Sequence, residues 1–444
     1  MVRLCAIVFL GAIAAWTPAA AAAPPTVRPG APVSSHAMVH TCCTPLAMKE
    51  RIFAESKAMG ARFIRVDVEL SGIFEAHGHS EAHPNWSRLD EVLDLSRRHD
   101  LPVLGILLSP PTWVPPGDAA TFGRLAGRVA AHARATITHW EILNEPDGAW
   151  AFQGTPEEYA HMLRAAYDAI GARVPETSVA MGGVMTPEDP AWIERVLATP
   201  GADAARAFDI ANVHLRAHER GLPALLTAWR DRLARHGFGG PVWVTEHGYP
   251  AEASFQNDPA FHGGEPAQAA FLTESVLSLA EAGAHEVFVT LRDNLDGRFA
   301  SEGIVHIDDH WPFAVRRRPA FTAVRRLVDR WDELLAARAE QRRAEAAASA
   351  ALAQAAGWRR RAAGYRAAAR RVRAKLTRLR IRFWAARRER VRIRLDRKID
   401  RTSRRLRRRR DQRGWARAMA ELYEVRAELH RMRAAELAAF VAGG

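Results

Sequence analysis

The segment Trp140-Glu141-Ile142-Leu143-Asn144-Glu145-Pro146-Asp147 constrains this chain more than any other: an apolar run ends in an Asn-Glu pair and is stopped by a proline. A strand with this ending delivers one carboxylic acid to the rim of a sheet, because proline cannot continue a hydrogen-bonded ladder. The arrangement recurs where Pro241-Val242-Trp243-Val244-Thr245 ends in Glu246 and is broken by Gly248 and Pro250, which sets the two glutamates 101 residues apart. A (β/α)8 barrel of about 250 residues spends roughly 31 residues on each strand-helix unit, so three units span that gap. The segments then become strands 4 and 7 of one barrel, with Glu145 and Glu246 on the C-terminal face where the active sites of this fold are built.

The rest of the first three quarters of the chain has the same rhythm. Strand candidates rich in β-branched and aromatic residues end near His40, Asp67, Ser109, Glu145, Gly183, His214, Glu246 and Arg292. Helical patterns alternate with them over Leu46–Met59, Trp86–His99, Phe122–Arg134, Pro156–Ile170, Ala191–Ala198, Pro223–His236 and Ala267–Ala282, and Pro319–Leu335 reads as the eighth helix. Alternation of this kind argues for a parallel sheet. Eight units favour a closed barrel, and no Gly-x-Gly-x-x-Gly follows the first strand as a dinucleotide fold requires. The fold class is therefore α/β, a TIM barrel over residues 24–337.

Residues 1–23 have the layout of a secretory signal: Arg3, an apolar stretch from Leu4 to Trp16, and small residues from Ala19 to Ala23 before Pro24. The apolar stretch is too short for a permanent span, and no other window approaches about 18 consecutive apolar residues. A secreted, periplasmic or envelope-associated protein without a transmembrane anchor is expected. Cys5 would leave with the signal, and the adjacent Cys42 and Cys43 remain. In an oxidising compartment these two either close a vicinal disulfide in the loop after strand 1 or stay as small buried thiols. No cofactor or metal is expected, since no His or Cys stands beside them at ligand spacing.

The formal charge of +13 is unevenly distributed. Residues 338–444 hold 33 Lys and Arg against 10 Asp and Glu, and the preceding 337 residues hold 30 against 40. Proline is absent from this tail, while Leu376, Leu379 and Phe383, then Leu422, Val425, Leu429 and Met432, repeat at three and four, the period of an amphipathic helix. The polar run and glycine of Asp411-Gln412-Arg413-Gly414 predict the turn of a helical hairpin or coiled-coil extension, just after the arginines of Arg404–Arg410. Such a tail either packs on the barrel or self-associates, or it holds an anionic envelope polymer, acidic polysaccharide or phospholipid head groups. Nucleic acid satisfies the same charge, but the export signal disfavours it.

Two carboxyl groups facing each other across a barrel mouth suit glycoside cleavage with retention, which places an acid and a nucleophile about 5–5.5 Å apart. Glu145 would protonate the leaving oxygen, Glu246 would attack the anomeric carbon, and Asn144 would hydrogen-bond the sugar 2-hydroxyl. The bland alternative for Asn144-Glu145-Pro146 is a helix N-cap with a first-turn acid, and Glu246 at a matching strand end argues against it.

Asn144-Glu145-Pro146 after one strand, Glu246 at the end of a later one and an Arg at the end of strand 2 resemble the retaining glycosidases of clan A, over roughly residues 33–335 and in the style of its family 39 and family 5 barrels. The resemblance implies a carbohydrate substrate, with Arg65 orienting and ionising Glu246 and His214, in Asn212-Val213-His214, lining the subsite beside it. Arg65 paired only with Asp67, and His214 as a packed core histidine, are the structural alternatives. Such enzymes often carry a Trp at the end of strand 8, where this chain has Leu291-Arg292-Asp293. The sugar platform would then come from Trp113, Trp150, Tyr249 or Trp311, and Arg292 would either face an acidic sugar or pair with Asp293 or Asp296; Trp113, after Pro110-Pro111, is equally a loop anchor. The contrasting function is a catalytically idle barrel whose basic tail makes it an envelope- or polysaccharide-binding protein.

Overall fold

The computed structural model describes residues 25–443 except 28, 186, 188, 217–220, 253–262, 294–300 and 311. The candidate export signal, Asp296 and Trp311 lie outside the described residues. Eight parallel strands form the expected barrel: β1 Val33–His40, β2 Ile64–Glu69, β3 Val103–Leu108, β4 His139–Ile142, β5 Ser178–Met181, β6 Ala211–His214, β7 Val242–His247 and β8 Ala284–Thr290. Their order is β5-β4-β3-β2-β1-β8-β7-β6, and bridges from Ala180 to Ile210 and from Val184 to Val213 bring β5 round to β6. Around the barrel the helices of more than one turn and a half are α1 Leu46–Met59, α2 Ser87–His99, α3 Ala119–Ala133, α4 Pro156–Gly171, α5 Ala191–Leu197, α6 Leu222–Arg235, α7 Gly264–Glu281 and α8 Pro319–Asp329, and a shorter one, Leu70–Phe74, follows β2. A small antiparallel pair, β9 Val305–Ile307 and β10 Val315–Arg317, precedes α8.

The barrel interior has two levels. Phe63, Leu104, Ala180, Ile210, Trp243 and Phe288 form a buried apolar plug, with the Trp243 ring 5.1 Å from Phe63 and 5.7 Å from Phe288. Above it the inward residues are polar, so the plug supplies the dry floor on which a charged layer rests. Local sequence chemistry fixes the ends of the strands over that layer. Helix α4 begins with a capping box in which Thr155 accepts from the Glu158 N–H and Glu158 accepts from the Thr155 N–H. One turn in, the buried Tyr159 hydroxyl donates to the Ile142 carbonyl and accepts from the Gly182 N–H, tying the end of β4 to the end of β5.

The chain divides into two compact units between Asp329 and Arg330. Arg330 has non-helical φ and ψ of −119° and 24°, so the stretch expected as one helix over Pro319–Leu335 is two elements, and Leu335 belongs to the next. The second unit is a hairpin of α9 Trp331–Trp384 and α10 Glu389–Gly443. Its helices run antiparallel, as Arg433 on Glu340, Trp358 on Trp415 and Arg409 over Tyr365 record. The turn lies at residues 385–388, not at Asp411–Gly414, which is helical throughout. An interior glycine costs a helix only about 1 kcal/mol, and the packing of two long helices outweighs that. Alanines make the seam: Ala337, Ala344, Ala348, Ala351, Ala355 and Ala362 are buried on α9, as are Ala416, Ala420, Ala427 and Ala434 on α10. Leu376 and Leu379 are buried as the helical period predicts, but Leu422, Val425, Leu429 and Met432 face outward. No helix among the described residues is long and apolar enough to cross a membrane.

Close packing around β4 gives a stability test. A Cβ at Gly105 would lie 2.5 Å from the buried Trp140 ring. Gly105→Ala should destabilise the barrel by about 1–3 kcal/mol through overpacking, read from urea unfolding; an unchanged midpoint would show that Trp140 repacks freely.

Candidate active site

Arg65, the second residue of β2 and not at its end as expected, is 1% exposed and occupies the centre of the charged layer. Its Nε and Nη2 donate to the two oxygens of the fully buried Glu141 at 2.9 and 2.8 Å, its Nη1 donates to Glu246 Oε1 at 2.6 Å, and Nη2 also donates to Asn144 Oδ1 at 2.7 Å. Burial acts to lower the guanidinium pKa, and Glu141 and Glu246 outweigh it, so the net direction is upward. Arg65 therefore does not pair only with Asp67, which instead lies 3.0 Å from His40. Because Asn144 accepts from Arg65 through its oxygen, its amide N–H groups are left to act as donors.

A backbone irregularity brings Glu246 to this cation. Trp243 belongs to the plug, and strict alternation along β7 would send Glu246 toward the helix layer. Between Val244 and His247, however, the strand advances three residues against two on β8. The bulge returns the Glu246 carboxylate to the axis and leaves His247 outside, on Ser275 of α7. Glu246 Oε2 is paired with Arg216, which also pairs with buried Glu302. His36 Nε2 lies 3.7 Å from Oε1. Burial alone would push the Glu246 carboxyl up; His214, His36, Arg216 and Arg65 outweigh it and hold it well below the ordinary carboxylate range. Burial also drops His36 to about 3, against the pull of Glu246. That ring is neutral at physiological pH, so of these groups the guanidiniums are the permanent cations beside Glu246.

Glu145 is delivered by strained backbone. Leu143 and Glu145 have φ of 62° and 45°, and Met38 and Ser109, which with Leu143 line a cavity at the barrel mouth, have 48° and 47°. Such left-handed conformations cost non-glycine residues about 1–3 kcal/mol each and gather at functional sites. His214 Nδ1 lies 2.8 Å from Glu145 Oε1 and 3.7 Å from Glu246 Oε2, while its Nε2 meets Thr245 Oγ1 at 3.2 Å. His214 is thus a hydrogen-bonded histidine placed between the two acids. It also explains Gly183, where a Cβ would fall 2.0 Å from His214 Nε2. An oxygen of Glu145 and an oxygen of Glu246 approach within 4.8 Å.

The mouth holds a cavity of about 320 Å³ lined by His36, His40, Arg65, Asp67, Asn144, Trp150 and Glu246 among others. Trp150, 68% exposed, is the aromatic wall that the sequence offered. The other expected contacts lie elsewhere. Trp113 is 45% exposed and does not line the cavity. Tyr249 packs on Phe271, and its carbonyl accepts from Gln268. Arg292 pairs with Asp309 at 2.7 Å, not with Asp293, which binds Arg318.

Among the described residues two side-chain groups converge closely enough to share a cation, Glu145 with His214 and Glu246, and His40 with Asp67 and Glu69. Sequence spacing hid the second because its members come from adjacent strands. It is already bonded internally, with His40 Nδ1 2.9 Å from Glu69 Oε1. Glu69 also accepts from Thr41 and from the Cys42 N–H, and Cys42 and Cys43 form a vicinal disulfide. Sequence reasoning missed Glu141, His36, Arg216 and Glu302. Only Glu141 carried a signal, as a lone charge in an apolar strand.

No protein-family profile matches this chain, and a search of curated proteins finds no match. Solved structures do share the barrel. The GH39 β-xylosidase of Caulobacter crescentus aligns with a TM-score of 0.51 at 17% identity, over 69% of this chain and 72% of that one. The exo-β-1,4-mannosidase Op5Man5 of Opitutaceae bacterium strain TAV5 gives 0.50 at 18%, over 68% and 60%. A glucosidase of Croceicoccus marinus gives 0.50 at 16%, over 69% and 68%. At these identities the likeness establishes the barrel fold.

The pairing of Arg216 with Glu246 predicts a pH effect. A cation beside a carboxylate lowers its pKa, so Arg216→Met should raise that of Glu246. The ionised form would then be lost at a higher pH as the solution is acidified, and the acidic limb of the kcat/KM profile should move upward. An unmoved or downward-shifted limb would show that Arg216 does not set this ionisation.

Proposed function

We propose that the barrel is a retaining glycoside hydrolase. The observation that carries this reading is the approach of an oxygen of Glu145 and an oxygen of Glu246 within 4.8 Å, which suits the close carboxyl pair of a retaining mechanism better than the wider pair of an inverting one, whose carboxyls stand about 6.5–9.5 Å apart. Glu246, kept ionised by Arg65 and Arg216, is the nucleophile. Its attack requires Arg216 to withdraw from Oε2, and Glu302 is the second partner that can retain the guanidinium. Glu145 protonates the leaving oxygen and then deprotonates the water that releases the sugar, with His214 holding it in place. Asn144 presents amide donors to the 2-hydroxyl, and Trp150 offers an apolar face to a sugar ring. The glycosidase names of the three structural neighbours accord with this reading.

Export to the envelope or medium follows from the N-terminal pattern, and the basic hairpin is assigned to retention on anionic envelope polymer or acidic polysaccharide. Arg366, Arg370, Arg413 and Arg417 crowd one groove of the hairpin, so a polyanion would relieve their mutual repulsion.

Glu246→Ala should abolish turnover while leaving the fold intact, and azide should restore it with inverted product; full activity in that variant would refute the assignment. Glu145→Ala should slow substrates with poor leaving groups by about 10²–10⁴-fold and spare activated aryl glycosides. Equal losses on both would give Glu145 another role. Binding of the full chain to an acidic polymer should weaken steeply as salt shortens the Debye length from about 10 Å to about 3 Å, and salt-insensitive binding would contradict an electrostatic anchor.

A further inference from the structure

The outward face of α10 is organised for a partner. Trp415, Ala418, Leu422, Val425, Leu429 and Met432 are spaced alternately by three and four residues, the a and d positions of a heptad repeat. All six are exposed: Trp415 by 57%, Val425 by 58%, Leu429 by 60% and Met432 by 57%. The helix already has one satisfied seam, since Ala420, Ala427 and Ala434, at the f positions opposite, are buried in the hairpin. Trp415 begins this stripe with its ring edge-on to Trp358 of α9, and from Ala418 to Met432 the stripe forms a second seam, on the side that the hairpin leaves open.

The flanking charges identify what covers it. The g positions ahead of each core residue are Glu421 and Glu428, and the e positions are Arg426 and Arg433. In a parallel pair of identical helices, each g residue faces the e residue of the following heptad on the other helix. Glu421 of one copy then faces Arg426 of the other, and Glu428 faces Arg433, twice over by symmetry. An antiparallel pair would set Glu against Glu and Arg against Arg. The present partners of these groups are exposed, as with Glu428 to Arg431 at 3.4 Å and Arg433 to Glu340 at 2.8 Å, and exposed pairs exchange at little cost. An anionic membrane fits less well, because Glu421, Glu424 and Glu428 would be brought against its head groups. We propose that the protein is a homodimer joined by a parallel, in-register pairing of α10 through Trp415 to Met432. The inference is independent of the barrel's chemistry.

Sedimentation equilibrium of the full chain at micromolar concentration should give twice the mass of one copy. The double variant Leu422→Glu/Leu429→Glu alters only exposed side chains, so it should halve that mass while the helical circular dichroism stays unchanged. M432C should form an interchain disulfide on oxidation, because this position at the end of the stripe meets itself only in a parallel, in-register pair. Glu421→Arg with Glu428→Arg should weaken the dimer, and adding Arg426→Glu with Arg433→Glu should restore it. A single-copy mass for the parent chain, a dimer that survives Leu422→Glu/Leu429→Glu, or a dimer that M432C fails to cross-link would each overturn the proposal. So would a parent chain that stays monomeric and binds anionic vesicles through the same stripe.

Discussion

Everything at the barrel mouth depends on one buried cation. Arg65 donates to Glu141 on β4, to Glu246 on β7 and to Asn144 just beyond β4, so a single guanidinium fixes the mutual position of three strands. Removing one member of such a buried network strands the others, at about 3–5 kcal/mol, whereas a well-packed apolar substitute for the whole group can be just as stable. Stability therefore does not explain the network. What an apolar core cannot do is hold one carboxylate ionised with its oxygens aimed at the mouth, and that is the state imposed on Glu246.

The geometry above the network is built from irregular backbone. The bulge in β7 turns Glu246 inward, a register shift in β1 follows His36, and left-handed residues end β3 and β4 or follow them. These features rest on the close-packed aromatic plug around Trp243 directly beneath, where β7 and β8 carry one further register shift, between Val242 and Trp243. A close-packed lower half and a strained upper half divide the barrel into a part that folds it and a part that positions chemistry.

Much of this could be read from residue order because the strands end on strong punctuation. Pro146 and Gly248 mark the ends that carry Glu145 and Glu246, and α1 has the bounds that its apolar period implies. The unread part lies in relations that local pattern does not encode. Arg216 sits two residues past β6 and reaches Glu246 only because the strands are neighbours. Trp113 and Tyr249 have the chemistry of sugar platforms, but their loops carry them away from the cavity. In the hairpin, size misled: leucine and methionine drew the inward stripe, whereas the close approach of α9 and α10 selects alanine for the seam. The turn at residues 385–388 lacks glycine and proline, so nothing in its composition marks it against Gly414.

The account stands on Glu145 and Glu246 acting as a retaining pair. Its most direct test is the anomeric configuration of the sugar first released from an aryl glycoside that the protein turns over, followed by proton NMR before mutarotation. The geometry predicts retention. Release with inverted configuration, or failure to turn over any member of a broad panel of α- and β-glycosides, would contradict it.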